Sequence, residues 1–216
     1  MITSTVKLVE PLADYVQQLL MDDAPSERTD QLESAAEFIR ERRAEDRPAP
    51  LIFICTHNSR RSHLGHVWAD TAARYYNLQH VSCYSGGIET TACNERTVRA
   101  LRRAGHSVGI ATGSAAADSL SNPNYWVQNF EDGPPLLLYS KIYSEGNGHI
   151  KDYAAMMCCS DVDARCPTVA DAAIRIPLHY DDPKEADDTP QEAQRYDERC
   201  WQIGRDMFRL MQMASA

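Results

Sequence analysis

Apolar residues along this chain recur at two spacings, and the switching between them predicts an α/β fold. Val6, Val9, Leu12, Tyr15, Val16, Leu19 and Leu20 follow a helical period. A second helix is predicted over Thr29–Arg43, with Leu32, Ala35, Ala36 and Ile39 on one face. Asp30 and Glu33 suit a capping box for it. Arg47-Pro48-Ala49-Pro50 reads as a linker. From there the rhythm becomes strand, helix, strand: an apolar strand over 51–55, a helix over 62–76, and a strand over 81–85 running into Gly86-Gly87. Asn94 suits the N-cap of a helix ending near Gly105, and His106–Ile110 is expected to return the chain to the sheet.

Residues 113–150 read as an insertion. YWVQNF and PLLLYSKIY flank Glu131-Asp132-Gly133, the pattern of a β-hairpin. Its aromatic residues Tyr125, Trp126, Phe130, Tyr139 and Tyr143 would either wall a pocket or pack on a sheet edge. Tyr153–Cys159 is a short apolar strand. In a parallel sheet its C-terminal end lies on the same side as the segment after residue 55. The last helix carries Thr189, Pro190 and Glu192 as N-cap, N1 proline and capping box, and Tyr196, Cys200, Ile203, Met207, Leu210 and Met211 as a buried stripe. The expected organisation is a helical extension over 1–48 and a main domain over 49–216. The extension would add a packing layer, mediate a homodimer or bind a partner.

The chain has 216 residues and a formal net charge of −9, which argues against nucleic acid as a general partner. No stretch is apolar and long enough to span a membrane, and acidic residues stand where a signal peptide would be apolar. Cytoplasmic residence is the expectation. Seven cysteines, an odd number without a secretory signal, read as free thiols rather than a disulfide scaffold. Cys83, Cys93 and Cys200 fit packing roles. No metal site is expected.

The chemistry concentrates in LIFICTHNSRRS, residues 51–62. A strand delivers a thiol, Cys55, into a short loop that ends in Arg61 and Ser62 at a helix start. A helix N-terminus favours the thiolate and binds phosphate-like anions. Arg61 can clamp two anion oxygens, and Ser62 can donate a hydrogen bond to the sulfur or the anion. Asn58 tolerates the left-handed backbone such a loop requires. Thr56, His57, Asn58, Ser59, Arg60 and Arg61 are therefore the candidate oxyanion cradle. Two further groups stand elsewhere. Asp182 precedes Pro183, which holds it extended, and can serve as a general acid. Cys159 and Cys166 are separated by six mostly polar residues, as in a mobile segment that makes and breaks a disulfide.

The loop CTHNSRRS resembles the phosphate-binding loop of the low-molecular-weight protein tyrosine phosphatases. It is more similar still to the arsenate reductases built on that fold, and the likeness covers about residues 50–212. It implies a three-layer sandwich around a mostly parallel sheet. By position it implies Cys55 as nucleophile, Arg61 as anion clamp, Ser62 as thiolate stabiliser and Asp182 as acid. Arg60 stands where many relatives carry a second loop cysteine. The segment Cys159–Cys166 resembles the redox segment of thioredoxin-coupled arsenate reductases. In that pattern Cys55 attacks arsenate, Cys159 attacks Cys55, and Cys166 takes over the disulfide for an external thiol reductant, thioredoxin or similar. No bound cofactor is implied. Family phosphatases follow Asp-Pro with tyrosines, whereas this chain continues Lys184-Glu185-Ala186-Asp187-Asp188, an acidic rim expected to repel a phosphopeptide. Phosphotyrosine or small-ester hydrolysis and a non-catalytic oxyanion or redox sensor are the alternative functions.

Overall fold

The computed structural model describes residues 7–111, 121–166 and 168–216. Val6, the start of the 113–150 insertion and Pro167 lie outside the described residues. The chain forms an α/β fold around a parallel sheet. In order, α1 (Glu10–Leu20) and α2 (Thr29–Ala44) precede β1 (Ala49–Cys55), α3 (Arg61–Tyr75), β2 (Val81–Gly87) and α4 (Glu95–Arg103). Then follow β3 (Ser107–Ile110), β4 (Tyr125–Gln128), β5 (Leu136–Leu138), β6 (Tyr153–Met157), α5 (Ser160–Arg165), β7 (Ala172–Ile176) and α6 (Glu192–Ser215). The main sheet runs β2-β1-β6-β7, and every neighbouring pair in it is parallel.

β1 is central, and all seven of its residues are buried. That explains its unbroken apolar run, since a parallel strand covered on both faces has no solvent side to mark with polar residues. The strand starts at Ala49, so Arg47–Pro50 is not a linker. Pro50 falls before the β6 ladder begins at Leu51, at a strand start, where proline is tolerated.

β3 does not rejoin the main sheet. It pairs antiparallel with β4, and β4 with β5, in a separate three-stranded sheet. The β4–β5 pair is the expected hairpin. Residues 7–9 are extended rather than helical. Leu8 bridges Phe130, and Glu131 N donates to Lys7 O, so α1 begins only at Glu10.

Both capping boxes fail in detail. Asp30 lies inside the first turn of α2, whose N-cap position is Arg28 and has no side-chain cap, while Glu33 pairs with Arg40. α6 starts two residues later than the Thr189-Pro190 signal suggests. Thr189 Oγ1 accepts from Gln191 N, and Glu192 reaches back to Asp188 N instead of Thr189 N.

Trp68 of α3 joins the extension to the rest. Its fully buried indole stacks on Tyr15 of α1 at 5.5 Å and meets His106 and Phe208 edge-on. Its Nε1 donates to Cys200 Sγ of α6 at 3.3 Å. Leu12, Val16 and Leu19 of α1 and Leu32, Ala35 and Ile39 of α2 belong to the same buried core. The apolar stripes of the extension are thus covered within the chain. No helix of the described residues is long and apolar enough to cross a membrane.

Gly65 sets the distance between α3 and β1. A Cβ built there would lie 2.4 Å from Cδ1 of Phe53, whose ring is fully buried. A mid-helix glycine costs about 1 kcal/mol against alanine, and overpacking a closed core costs about 1–3 kcal/mol. Gly65→Val, with three added carbons, should lose about 2–3 kcal/mol in urea unfolding, with the strand and helix carrying Cys55 displaced together.

Candidate functional site

The parallel sheet brings two strand ends to one edge. β1 ends at Cys55, and β6 ends just before Cys158 and Cys159, with Cys158 N donating to Ile54 O. Between Cys55 and α3 the chain turns through residues 56–60. Asn58 sits at φ 46°, the left-handed conformation expected of it. Gly87 lies alongside, where a Cβ would be 2.7 Å from Asn58 N and 2.8 Å from Thr56 O. Only glycine permits that approach.

Asn58 organises the sulfur. Its buried Nδ2 donates to Ser62 Oγ at 2.9 Å, and its Oδ1 accepts from Lys141 N at 3.1 Å. Ser62 Oγ lies 3.0 Å from Cys55 Sγ. Because the hydroxyl oxygen already accepts from the carboxamide, its own hydrogen is free for the sulfur. A hydrogen bond donated to sulfur favours the thiolate. Among the described residues, the main-chain N–H groups of 56–62 have no protein acceptor. They are the donors that a helix start and a turning loop leave for an anion.

Arg61 is held from two sides. Nη1 donates to Tyr180 O at 2.9 Å, and Nη2 to Asp182 Oδ2 at 2.7 Å. Its Nε is buried without a partner, so the guanidinium keeps one donor in reserve. The other oxygen of Asp182 accepts from Lys184 N and caps the 3-10 turn Pro183–Ala186. Asp182 and Arg61, the residues expected as acid and clamp, thus stand together.

The remaining cradle side chains point elsewhere. Arg60 turns away, donating to Tyr196 OH and Asp187. His57 pairs with Glu89 at 3.3 Å. Ser59 Oγ donates to Ala92 O. At these residues only the main chain is left facing the loop interior, since the side chains are engaged elsewhere. The acidic rim is also altered. Asp187 pairs with Arg60 and Arg96, and Asp188 with Arg96, so both are engaged within the chain.

The two neighbouring cysteines differ sharply. Cys158 is fully buried, its thiol donates to Met156 O, and burial pushes its pKa well above the ordinary range. It is a protonated packing group. Cys159 Sγ lies 3.7 Å from Thr56 Oγ1, at the loop next to Cys55. It lines a cleft of about 930 Å³ together with Arg61 and Asp182. The segment after it is not an irregular stretch. It folds as α5, with Cys159 at the N-cap position and Cys166 at the C-cap. At ~1.5 Å per residue the two are about 10 Å apart along the helix, beyond the ~7 Å Cα limit for a disulfide. Asp163 of α5 is gripped by Arg175 and His179, and Arg165 by Glu89.

Sequence reasoning missed the braces behind the loop. Ser140 Oγ donates to His57 O, Asn122 Nδ2 donates to Ser140 O, and Lys141 supplies the N–H for Asn58. They come from the insertion, and only a contact across more than eighty residues reveals them. Of the insertion's aromatics, Tyr125 lines a second cavity beside Ser59 and Arg60, while Phe130 is fully buried under the Arg74 guanidinium.

No family model matches the chain, and no curated protein matches it. Among solved structures, it is similar to a low-molecular-weight phosphotyrosine phosphatase from Vibrio cholerae O395, with a TM-score of 0.47 and 14% identity over 76% of this chain and 95% of that one. It is similar to Primo-1 with a TM-score of 0.47 and 11% identity, over 76% of this chain and 97% of that one.

Two outcomes test the site. Ser62→Ala removes the hydrogen bond to sulfur, and iodoacetamide should label Cys55 severalfold more slowly at neutral pH, read by mass spectrometry of the Cys55 peptide. The second concerns Lys141, whose buried ammonium sits 4.7 Å over the Tyr139 ring and whose pKa burial lowers from 10.5 to about 8. The unfolded chain therefore holds the Lys141 proton more tightly than the folded one, and its burden on stability is full below pH 8 and fades as pH rises toward 10.5. Lys141→Met should gain about 1–2 kcal/mol in urea unfolding at pH 7, less what the ring contact returned, and that gain should shrink by pH 10.

Proposed function

We propose that this chain is a cysteine-dependent oxyanion enzyme that reduces arsenate to arsenite through a relay of Cys55, Cys159 and Cys166. The reading rests on one observation above the others: Cys159 Sγ stands 3.7 Å from Thr56 Oγ1, at the loop that holds Cys55. Hydrolysis of a phosphate ester has no use for a second thiol there.

In this mechanism the loop N–H groups and Arg61 hold arsenate against Cys55. The thiolate attacks arsenic, one arsenate oxygen leaves as water, and a sulfur–arsenic bond forms. Asp182, beside Arg61, supplies the proton for the departing oxygen. The thiolate of Cys159 then attacks the Cys55 sulfur. The sulfur–arsenic bond breaks with its electron pair going to arsenic, so As(V) becomes As(III) and arsenite leaves. A Cys55–Cys159 disulfide remains. Cys166 attacks Cys159, freeing Cys55, and the Cys159–Cys166 disulfide is reduced by thioredoxin or a similar thiol. The last exchange requires α5 to open, because its folded length keeps the two sulfurs apart. A six-residue helix is marginal on its own, so a few side-chain contacts decide whether it stays closed.

Phosphate monoester hydrolysis is the second reading, favoured by the placement of Asp182 against Arg61. The same loop, clamp and acid would serve it, with water in place of Cys159.

The deciding measurement is arsenate-dependent NADPH consumption with thioredoxin and its reductase. Wild type should turn over. Cys159→Ser and Cys166→Ser should stop it while leaving aryl phosphate hydrolysis largely intact, and Asp182→Asn should lower that hydrolysis on the order of a hundredfold. Normal arsenate reduction by both cysteine variants would refute the relay. Efficient phosphotyrosine cleavage without any arsenate turnover would make the chain a phosphatase.

A further inference from the structure

The cleft that holds Arg61, Asp182 and Cys159 extends past them to three more arginines, of which Arg195 is exposed and paired with Glu198 while Arg28 and Arg199 are mostly buried. Arg28 comes from the start of α2 and Arg199 from α6, and both line the cleft. Each side chain is only 13% exposed. Arg28 Nε donates to His179 O, and its guanidinium stacks 4.4 Å over the Tyr180 ring. Its Nη1 is buried with no hydrogen bond and lies 3.8 Å from Asp206. Asp206 is itself fully buried and divides its carboxylate between Arg28, Arg205 and the Tyr180 hydroxyl. Arg199 Nε is likewise buried without a partner, while its Nη1 donates to Gln202 and its Nη2 to Asp181 at 3.2 Å. Asp181 is 92% exposed, so an incoming anion displaces it at little cost.

Three guanidiniums therefore follow one short segment. Arg28 holds His179, Arg61 holds Tyr180 and Asp182, and Arg199 holds Asp181. The two outer arginines repel each other. Two mostly buried like charges, each with one idle donor and facing one cleft, are the arrangement that a bound anion relieves. Asp161 and Glu185 also line the cleft, but both are exposed and solvated.

Arsenate is too small to occupy both this region and the Cys55 loop. Cys159 lines the cleft, whereas Cys166 is outside its lining. We infer that Arg28 and Arg199 form a second anion site, which takes a carboxylate of a small anionic thiol that reduces the enzyme. The assignment to a reductant rests on the arsenate-reducing reading above. The thiolate of the small molecule attacks the Cys159 sulfur of the Cys159–Cys166 disulfide, and Cys166 leaves as thiolate. A second equivalent attacks the mixed disulfide at its small-molecule sulfur, releasing Cys159. Two thiols enter and one small-molecule disulfide leaves, which matches the two electrons given to arsenic.

S-methylglutathione, which carries the carboxylates and cannot react, is the probe. Calorimetry on the reduced full chain should show it binding, and its dimethyl ester binding at least tenfold more weakly. Arg28→Gln and Arg199→Gln should each weaken S-methylglutathione about fivefold or more, while Arg28→Lys keeps most of the affinity. In arsenate turnover, the ratio of kcat/KM with glutathione to kcat/KM with 2-mercaptoethanol should fall about tenfold in Arg28→Gln. Equal binding of the acid and the ester, or unchanged binding by both glutamine variants, would overturn the site. Arginine-dependent binding in a chain that reduces no arsenate would support the anion site and sink the reductase reading alone. Arginine dependence seen only with a carboxylated aryl phosphate would give the site to a substrate and overturn its assignment to a reductant.

Discussion

A single buried carboxamide holds the reactive part of this molecule in shape. Asn58 bonds Ser62 with one end and the main chain of Lys141 with the other, while its own backbone occupies a conformation that few residues accept. The first bond turns the Ser62 hydroxyl toward Cys55. The second fixes the turn against a segment more than eighty residues away. Buried hydrogen bonds of this kind act as a unit, because each partner that is lost leaves another unsatisfied in a low-dielectric interior. The positions of the sulfur, the free N–H groups and Arg61 all follow from that one residue keeping both partners.

Seen from this carboxamide, the two additions to the parallel sheet both bear on the elements that form the site. The insertion supplies Ser140 and Lys141, which bind the loop from behind at His57 and Asn58. The N-terminal helices supply Tyr15, which stacks on Trp68, and Arg28, which borders the cleft. Trp68 lies on α3, whose first residues are Arg61 and Ser62. The helix that carries the anion clamp is thus seated on one side by β1, at Gly65 and Phe53, and on another by the extension. An extension that reaches into the core through a buried tryptophan is part of the fold's stability, and Arg28 makes it part of the cleft as well.

What was legible in the sequence is what local rules decide. The buried strand ending at Cys55, the left-handed Asn58, the Asn94 cap and the stripe of α6 each follow from a few neighbouring residues. The failures are of three kinds. A four-residue strand such as Ser107–Ile110 does not say which sheet it joins, because pairing depends on a partner distant in sequence. The polar residues after Cys159 suggest a mobile segment and do not announce a helix, although Asp161 and Asp163 at one end and Arg165 at the other complement a helix dipole. Caps failed because Ser, Thr, Asp and Glu near a helix start have several donors within reach, and tertiary ion pairs such as Glu33 with Arg40 outcompete the local choice.

The folded state of α5 bears on the proposed relay. Its opening frees Cys166, and its closure leaves Cys159 at the edge of a complete loop, clamp and acid. It is held closed by Val162, which is buried in the core, by Arg175, which donates to Asp163 O and Cys166 O, and by ion pairs of Asp163 with Arg175 and His179 and of Arg165 with Glu89. Exposed pairs contribute roughly 1 kcal/mol or less each and burial of a valine about 1.5–3 kcal/mol, so opening is a local unfolding that must also expose Val162. Cys159 itself does not depend on α5 for its place, because Cys158 is bonded to Ile54 at the end of the sheet. The sheet therefore holds one thiol at the anion loop while the helix sets when the other can reach it. That division of labour between a rigid strand end and a marginal helix is what the relay needs and what ester hydrolysis would leave without purpose.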